Sequence, residues 1–187
     1  AHHLLGLVAF QRAAFDEALD LIEKAITLYP QAAVYHSNRG RALKAVGENR
    51  AAASAFAHAL RLQPGVPETL SDLAGAHLDS GEPETAMLFA SRAVERGPDM
   101  APAHYNYGLA AVGLEQFRSA QLALERAVDL APDFASALFE LGCLHQAENN
   151  DDMAEICYRG AIASEPGLIE ARANLGRVFC PIKADCR

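Results

Sequence analysis

The sequence predicts an all-α solenoid built from repeated helix pairs. Three observations carry that expectation. Prolines stand at 30, 64, 98, 132 and 166, each 34 residues from the next. Alanines keep the same step at 18, 52, 86, 120 and 154, and again at 25, 59, 93, 127 and 161. Glycine recurs at 6, 40, 108, 142 and 176, with Ala74 in the remaining place. A fixed period of this length is the signature of stacked supersecondary units. The 187 residues are 51% hydrophobic, rich in alanine and modest in β-branched side chains, which favours helix over sheet.

The first pair is expected at 1–12 and 15–28. Gly6 inside its first helix costs about 1 kcal/mol relative to alanine, so a neighbouring helix must pass too close for a larger side chain. Ala18 and Ala25 fit that contact from the second helix. Pro30 lacks an N–H and blocks continuation. The second pair, 33–46 and 49–62, repeats the pattern with Gly40, a turn at Gly47, Ala52, Ala59 and Pro64. The third, 67–80 and 83–96, carries Leu73-Ala74, Gly81, Ala86, Ala93 and Pro98. The fourth, 101–114 and 117–130, has Tyr107-Gly108 and turns at Glu115. The fifth, 135–148 and 151–164, has Leu141-Gly142 and turns at Asn149. If the turn backbone is left-handed, Gly and Asn suit it, while Ala13 in the first turn pays a steric cost. A lone helix at 169–179 begins a sixth unit, and 180–187 reads as an irregular tail around Pro181. The repeats then run 1–32, 33–66, 67–100, 101–134 and 135–168.

These spacings resemble the tetratricopeptide repeat. In the second unit His36, Arg39, Gly40, Leu43, Ala52, Phe56, Ala59 and Pro64 fill the family pattern. In the fifth, Leu138, Leu141, Gly142, His145, Ala154, Tyr158, Ala161 and Pro166 do so. The resemblance implies a right-handed α-solenoid of about five and a half helix-turn-helix repeats, with first helices on the concave face. It further implies a scaffold that binds an extended peptide or partner protein in that groove, without catalysis of its own.

Helical phase indicates which residues face the groove. The glycine slot faces inward, and the residue two places earlier lies about 200° away. That slot holds Asn38, Asp72, Asn106, Glu140 and Asn174, after Leu4 in the first helix. Val34, Arg41, Glu68, Asp79, Glu170 and Arg177 share its face. The recurring asparagines are similar to the asparagine ladder of the O-linked N-acetylglucosamine transferase superhelix, with acidic residues on alternate rungs. Five acidic and two basic residues in these positions favour neutral or basic ligands. The set of Lys, Asn and Arg with which related domains clamp chaperone C-termini is not found, because Asp72 and Asp79 answer Arg41 and Lys44.

Other functions find little support. The net charge is −8, from 24 acidic and 16 basic residues, which argues against nucleic acid. No apolar run is long enough to insert in a membrane. The absence of a secretory leader and the clustering of the four cysteines after residue 142 suggest a reducing, cytoplasmic setting. No metal or cofactor is expected. His2, His36, His104, His77 and His145 occupy aromatic slots of the repeat and read as packing residues. Cys143 and His145 are two residues apart on one helix, so they diverge and form no dyad. Asn149-Asn150-Asp151-Asp152 lacks calcium-loop spacing and reads as a helix cap. The missing initial Met raises the expectation of a segment from a longer protein. An alternative function follows from it: the substrate-recruiting region of a glycosyltransferase or sulfotransferase. Self-association through the open C-terminal helix is a further expectation.

Overall fold

The computed structural model describes residues 2–179. Eleven helices and no strand are present among the described residues. They are α1 (His2–Gln11), α2 (Phe15–Leu28), α3 (Ala33–Ala45), α4 (Asn49–Leu62), α5 (Pro67–Leu78) and α6 (Pro83–Arg96). Then come α7 (Ala101–Gly113), α8 (Phe117–Leu130), α9 (Ala135–Ala147), α10 (Asp151–Ser164) and α11 (Ile169–Phe179). The chain divides into two compact units, Ala1–Pro98 and Asp99–Arg187. In the first, α1 packs on α2, α3 on α4 and α5 on α6, while α2 meets α3 and α4 meets α5. In the second, α7 to α11 pack in the same successive manner. The expected tail 180–187, with Cys180 and Cys186, lies outside the described residues.

Second helices end where the prolines require. The residues before them, Tyr29, Gln63, Gly97, Ala131 and Glu165, have extended φ values of −138°, −136°, −136°, −141° and −132°. A residue preceding proline is pushed out of the helical region, so the chain leaves the helix there. First helices end differently. Ala13, Gly47, Gly81, Glu115 and Asn149 all have positive φ, between 56° and 81°. In each case the next residue's N–H bonds back across the turn, as Glu48 N–H does to Leu43 O at 2.9 Å and Gln116 N–H to Ala111 O at 2.8 Å. Gly47 N–H also donates to Lys44 O at 3.0 Å. This is the Schellman closure, which satisfies the last carbonyls of the helix. First helices therefore stop one or two residues before the sequence-expected ends, because the left-handed residue closes the final turn early.

Glycine fits that conformation; alanine and glutamate do not. Ala13→Gly and Glu115→Gly are each expected to stabilise the protein by about 0.5–1 kcal/mol, the relief of left-handed strain less the entropy glycine adds to the unfolded chain. Urea unfolding checks this, and a loss of stability would contradict it.

The packing inside each pair refines the expected role of the helix glycines. A Cβ on Gly6 would stand 2.9 Å from Ile22, on Gly40 2.6 Å from Phe56, on Gly108 2.8 Å from Leu124 and on Gly142 2.7 Å from Tyr158. The glycine thus clears room chiefly for a large side chain four residues after the alanine, and not for the alanine itself. Ile22, Phe56, Leu124 and Tyr158 are 34 residues apart or a multiple of it, and all are wholly buried. The third pair departs from the arrangement: Ala74 stands in the glycine slot and Ala90 in the large-residue slot, and both are wholly buried. Small opposes large in four pairs, and intermediate opposes intermediate in one. Gly176 in α11 meets no atom within 4 Å, since no second helix follows α11 among the described residues.

Candidate peptide-binding groove

The first unit forms a cleft where α3, α4 and α5 meet, of about 190 Å³. Val34, Asn38 and Arg41 enter it from α3, and Glu68 and Thr69 from α5. The α3 positions are three or four residues apart, so one helix face presents them together. Ser37 Oγ and Thr69 Oγ1 lie 3.1 Å apart and tie the two helices beneath the cleft. Val34 is 52% exposed, an apolar contact point beside the half-buried Ala33 and Val66.

Within this face the charges answer one another. Arg41 Nε donates to Asp72 Oδ2 at 2.7 Å, and Lys44 Nζ lies 3.2 Å from Asp79 Oδ2. Both pairs bridge α3 to the α5 segment. Half-exposed ion pairs of this kind contribute little to stability, up to about 1 kcal/mol. Their larger effect is on the field in the cleft. The two acids are locally balanced, and Glu68 is left as the exposed anion.

Asn38 is not an open rung. It is only 7% exposed, and its Nδ2 lies 2.6 Å from His3 Nε2. His3 also stacks on Tyr35, with ring centroids 4.3 Å apart. Helical phase expects Asn38 to point into the groove; in the structure His3 from the preceding first helix covers it. The signal was the 35-residue separation of His3 and Asn38, one off the repeat period. Burial lowers the His3 pKa. A histidine whose folded pKa lies below its unfolded value favours folding above that unfolded value. The contribution is lost as pH falls from about 6.5 toward the folded pKa. Acidification from about pH 7.5 to about 5.5 is therefore expected to lower the Tm of wild type more than that of His3→Gln, whose amide oxygen accepts from Asn38 without titrating. Equal shifts in a thermal melt would count against this role for His3.

In the second unit Asn106 is half-buried on α7. Glu140, Asn174 and Arg177 lie close enough to Cys143 to act on its thiol. Asn174 Nδ2 lies 3.5 Å from Cys143 Sγ and 3.4 Å from Tyr158 Oη. Tyr158 O–H donates to Gln146 Oε1 at 2.9 Å. Burial raises the pKa of Glu140 and of Tyr158, and raises that of Cys143, with Glu140 adding to the effect. Cys143 is therefore a neutral thiol at physiological pH, unsuited to nucleophilic chemistry. Glu170 and Arg177 are exposed on α11.

The histidine slots are mostly structural. His36 is buried, with Nε2 2.8 Å from Pro30 O, and it stacks on His58 at 4.1 Å. His77 stacks on Phe89 and places Nδ1 2.8 Å from Glu82 Oε2. His145 is buried, but its Nδ1 has no partner among the described residues. The position matching Glu82 is Asn150, whose Oδ1 instead accepts from Met153 N–H at 3.4 Å and caps α10. His2 departs from the packing expectation: it is exposed in the first turn of α1, where no preceding proline turn covers it among the described residues. No cluster of three or more metal-ligating side chains occurs among the described residues. No described helix is long and apolar enough to cross a membrane.

Comparison with known proteins agrees with this architecture. The family model described as tetratricopeptide repeat matches residues 37–101 and 105–169. The chain is 35% identical over 82 residues to the inactive TPR repeat-containing thioredoxin TTL3 of Arabidopsis thaliana, covering 44% of this chain and 12% of that protein. It is 33% identical over 73 residues to the protein SGT1 homolog of Oryza sativa subsp. japonica, covering 39% of this chain and 20% of that protein. The matched stretch thus spans a minor part of each relative's length. Among solved structures, TTC0263, a thermophilic TPR protein of Thermus thermophilus, superimposes with a TM-score of 0.79 at 21% identity, over 95% of this chain and 97% of that one. PilW, a type IV pilus biogenesis factor, does so at 0.81 and 18% identity, over 95% and 87%.

Proposed function

Because the chain belongs to the tetratricopeptide-repeat family, we propose that it is a protein-interaction scaffold whose first-helix face receives an extended segment of a partner. The observation that carries this reading is the cleft among α3, α4 and α5, where Val34, Asn38, Arg41 and Glu68 converge. Its rim combines an exposed apolar residue with backbone-compatible donors and acceptors, which suits a peptide main chain with an apolar side chain beside it. Of the residues proposed for the groove, Asp72 and Asp79 orient Arg41 and Lys44, while Glu140, Asn106, Asn174, Glu170 and Arg177 serve the second unit's face.

Neutral or basic segments are favoured. Glu68, Asp72 and Asp79 face Arg41 and Lys44 on the first unit, three acids against two bases. That excess of one charge makes the preference modest, and it falls as salt rises. Panning a random octapeptide library, then titrating the selected peptides at low and high salt, tests the reading. Val34→Gln, which removes the exposed apolar contact, should weaken binding, and Arg41→Glu, which makes the face more acidic, should tighten binding of basic peptides, while circular dichroism stays unchanged. Selected peptides that bind both variants as tightly as wild type would place the site elsewhere.

A second reading is recruitment of substrates for a larger enzyme. It is favoured by the relatives, which are several times longer than the stretch they share with this chain. Sequencing the parent gene beyond Arg187 decides it: a transferase domain supports this reading, and further repeats oppose it.

A further inference from the structure

A second cleft, of about 220 Å³, lies among α4, the turn that follows it, α5 and α6. None of the proposed groove residues lines it. Its floor is apolar, made by Leu60, Leu73 and Phe89, and its rim carries Arg61 and Arg92 beside Gly65. The guanidinium of Arg96 comes within 3.3 Å of where a Cβ on Gly65 would stand. No carboxylate lines this cleft. Arg61, Arg92 and Arg96 form no ion pair among the described residues, in a chain whose net charge is −8.

The repeat supplies its own comparison. Arg126 stands 34 residues after Arg92, and Asp99 stands 34 after Gly65. There Arg126 Nη2 bonds Asp99 Oδ1 at 3.0 Å. The first unit keeps the arginine and lacks the carboxylate, because the position that would hold it is glycine. Gly65 also has φ +77°, a conformation that strains an aspartate. An arginine with its matching acid missing, set over an apolar floor, has the form of a site for an acid supplied from outside.

We infer that this cleft docks an acidic partner segment bearing a large apolar side chain. The carboxylate sits on Arg92 as Asp99 sits on Arg126, with Arg61 and Arg96 adding charge. The apolar side chain rests on Phe89 and Leu60. This surface prefers acid, where the first-helix groove prefers neutral or basic segments, so the two faces select different partners.

Fluorescence anisotropy with a labelled Asp-Glu-Leu-Phe-Asp-Glu peptide tests this. Saturable binding is expected for wild type, with about a tenfold loss for Arg92→Glu. The more conservative Arg92→Gln should show a smaller loss in the same direction. Arg92 is exposed, so both variants should keep wild-type circular dichroism. A peptide with alanine in place of Leu-Phe should bind about tenfold more weakly or worse, and Arg41→Glu should bind the original peptide as wild type does. No saturable binding by wild type, no effect of Arg92→Glu, or an equal loss in Arg41→Glu would overturn the inference. Displacement of the probe by a hexanucleotide at equal concentration would also overturn it, assigning the arginines to phosphate.

Discussion

Changing Gly40 and Phe56 to alanine together is expected to cost less than the sum of the two single changes. Gly40→Ala alone places a methyl 2.6 Å from the Phe56 ring, which cannot yield because it is wholly buried. Overpacking of this kind costs about 1–3 kcal/mol, partly offset by the helix preference of alanine, about 1 kcal/mol. Phe56→Ala alone removes a buried ring and leaves a cavity, for about 3–5 kcal/mol. The double variant relieves the clash, regains helix propensity and reproduces the combination of alanines, both wholly buried, that the third pair carries in these two slots. A coupling of about 1–3 kcal/mol in a denaturant-based double-mutant cycle is expected. Strict additivity would show that the third pair reaches its packing by another route.

Ala86→Trp carries the other large effect. Ala86 has no exposed surface, as have Ala18, Ala52, Ala120 and Ala154 in its series. In the first and fourth pairs the carbonyl of the alanine in this slot, Ala18 or Ala120, is 3.4 Å from the missing Cβ of Gly6 or Gly108. The backbones are therefore in near contact at this point, and an indole has no space to occupy. A destabilisation of about 3 kcal/mol is expected, at the upper end of overpacking costs. Thermal unfolding measures it, and an unchanged Tm would mean that α5 and α6 separate more readily than their packing indicates.

The helices were legible because their punctuation is chemical. Proline and the left-handed turn residue act on the backbone itself, so the sequence marks both helix ends without knowledge of neighbours. The large residue opposite each glycine was harder to see. Its identity changes from isoleucine to phenylalanine, alanine, leucine and tyrosine, and only its volume, complementary to the facing residue, is kept. For the proposed groove, phase grouped residues of one helix and said nothing of what covers them. Phase identified the face of α3 that carries Asn38 and Arg41, but not that His3 from α1 covers Asn38, since phase describes one helix at a time. Lys44 paired Asp79 as its charge suggested. Arg92 escaped notice because it is ordinary on an exposed helix face; its interest emerges only beside Arg126 and Asp99, one period along.

The opposition of small and large within each pair also constrains how such a chain can be rearranged by recombination. A crossover at a proline turn exchanges an intact pair and keeps each glycine with its own counterpart. A crossover at the left-handed turn separates them. Joining α5 to α4 would set Ala74 against Phe56, and joining α3 to α6 would leave Gly40 facing Ala90 across a void. The heritable module is therefore bounded by the prolines, and a library of shuffled repeats should yield folded chains when cut there and mostly unfolded ones when cut at Gly47 or Gly81.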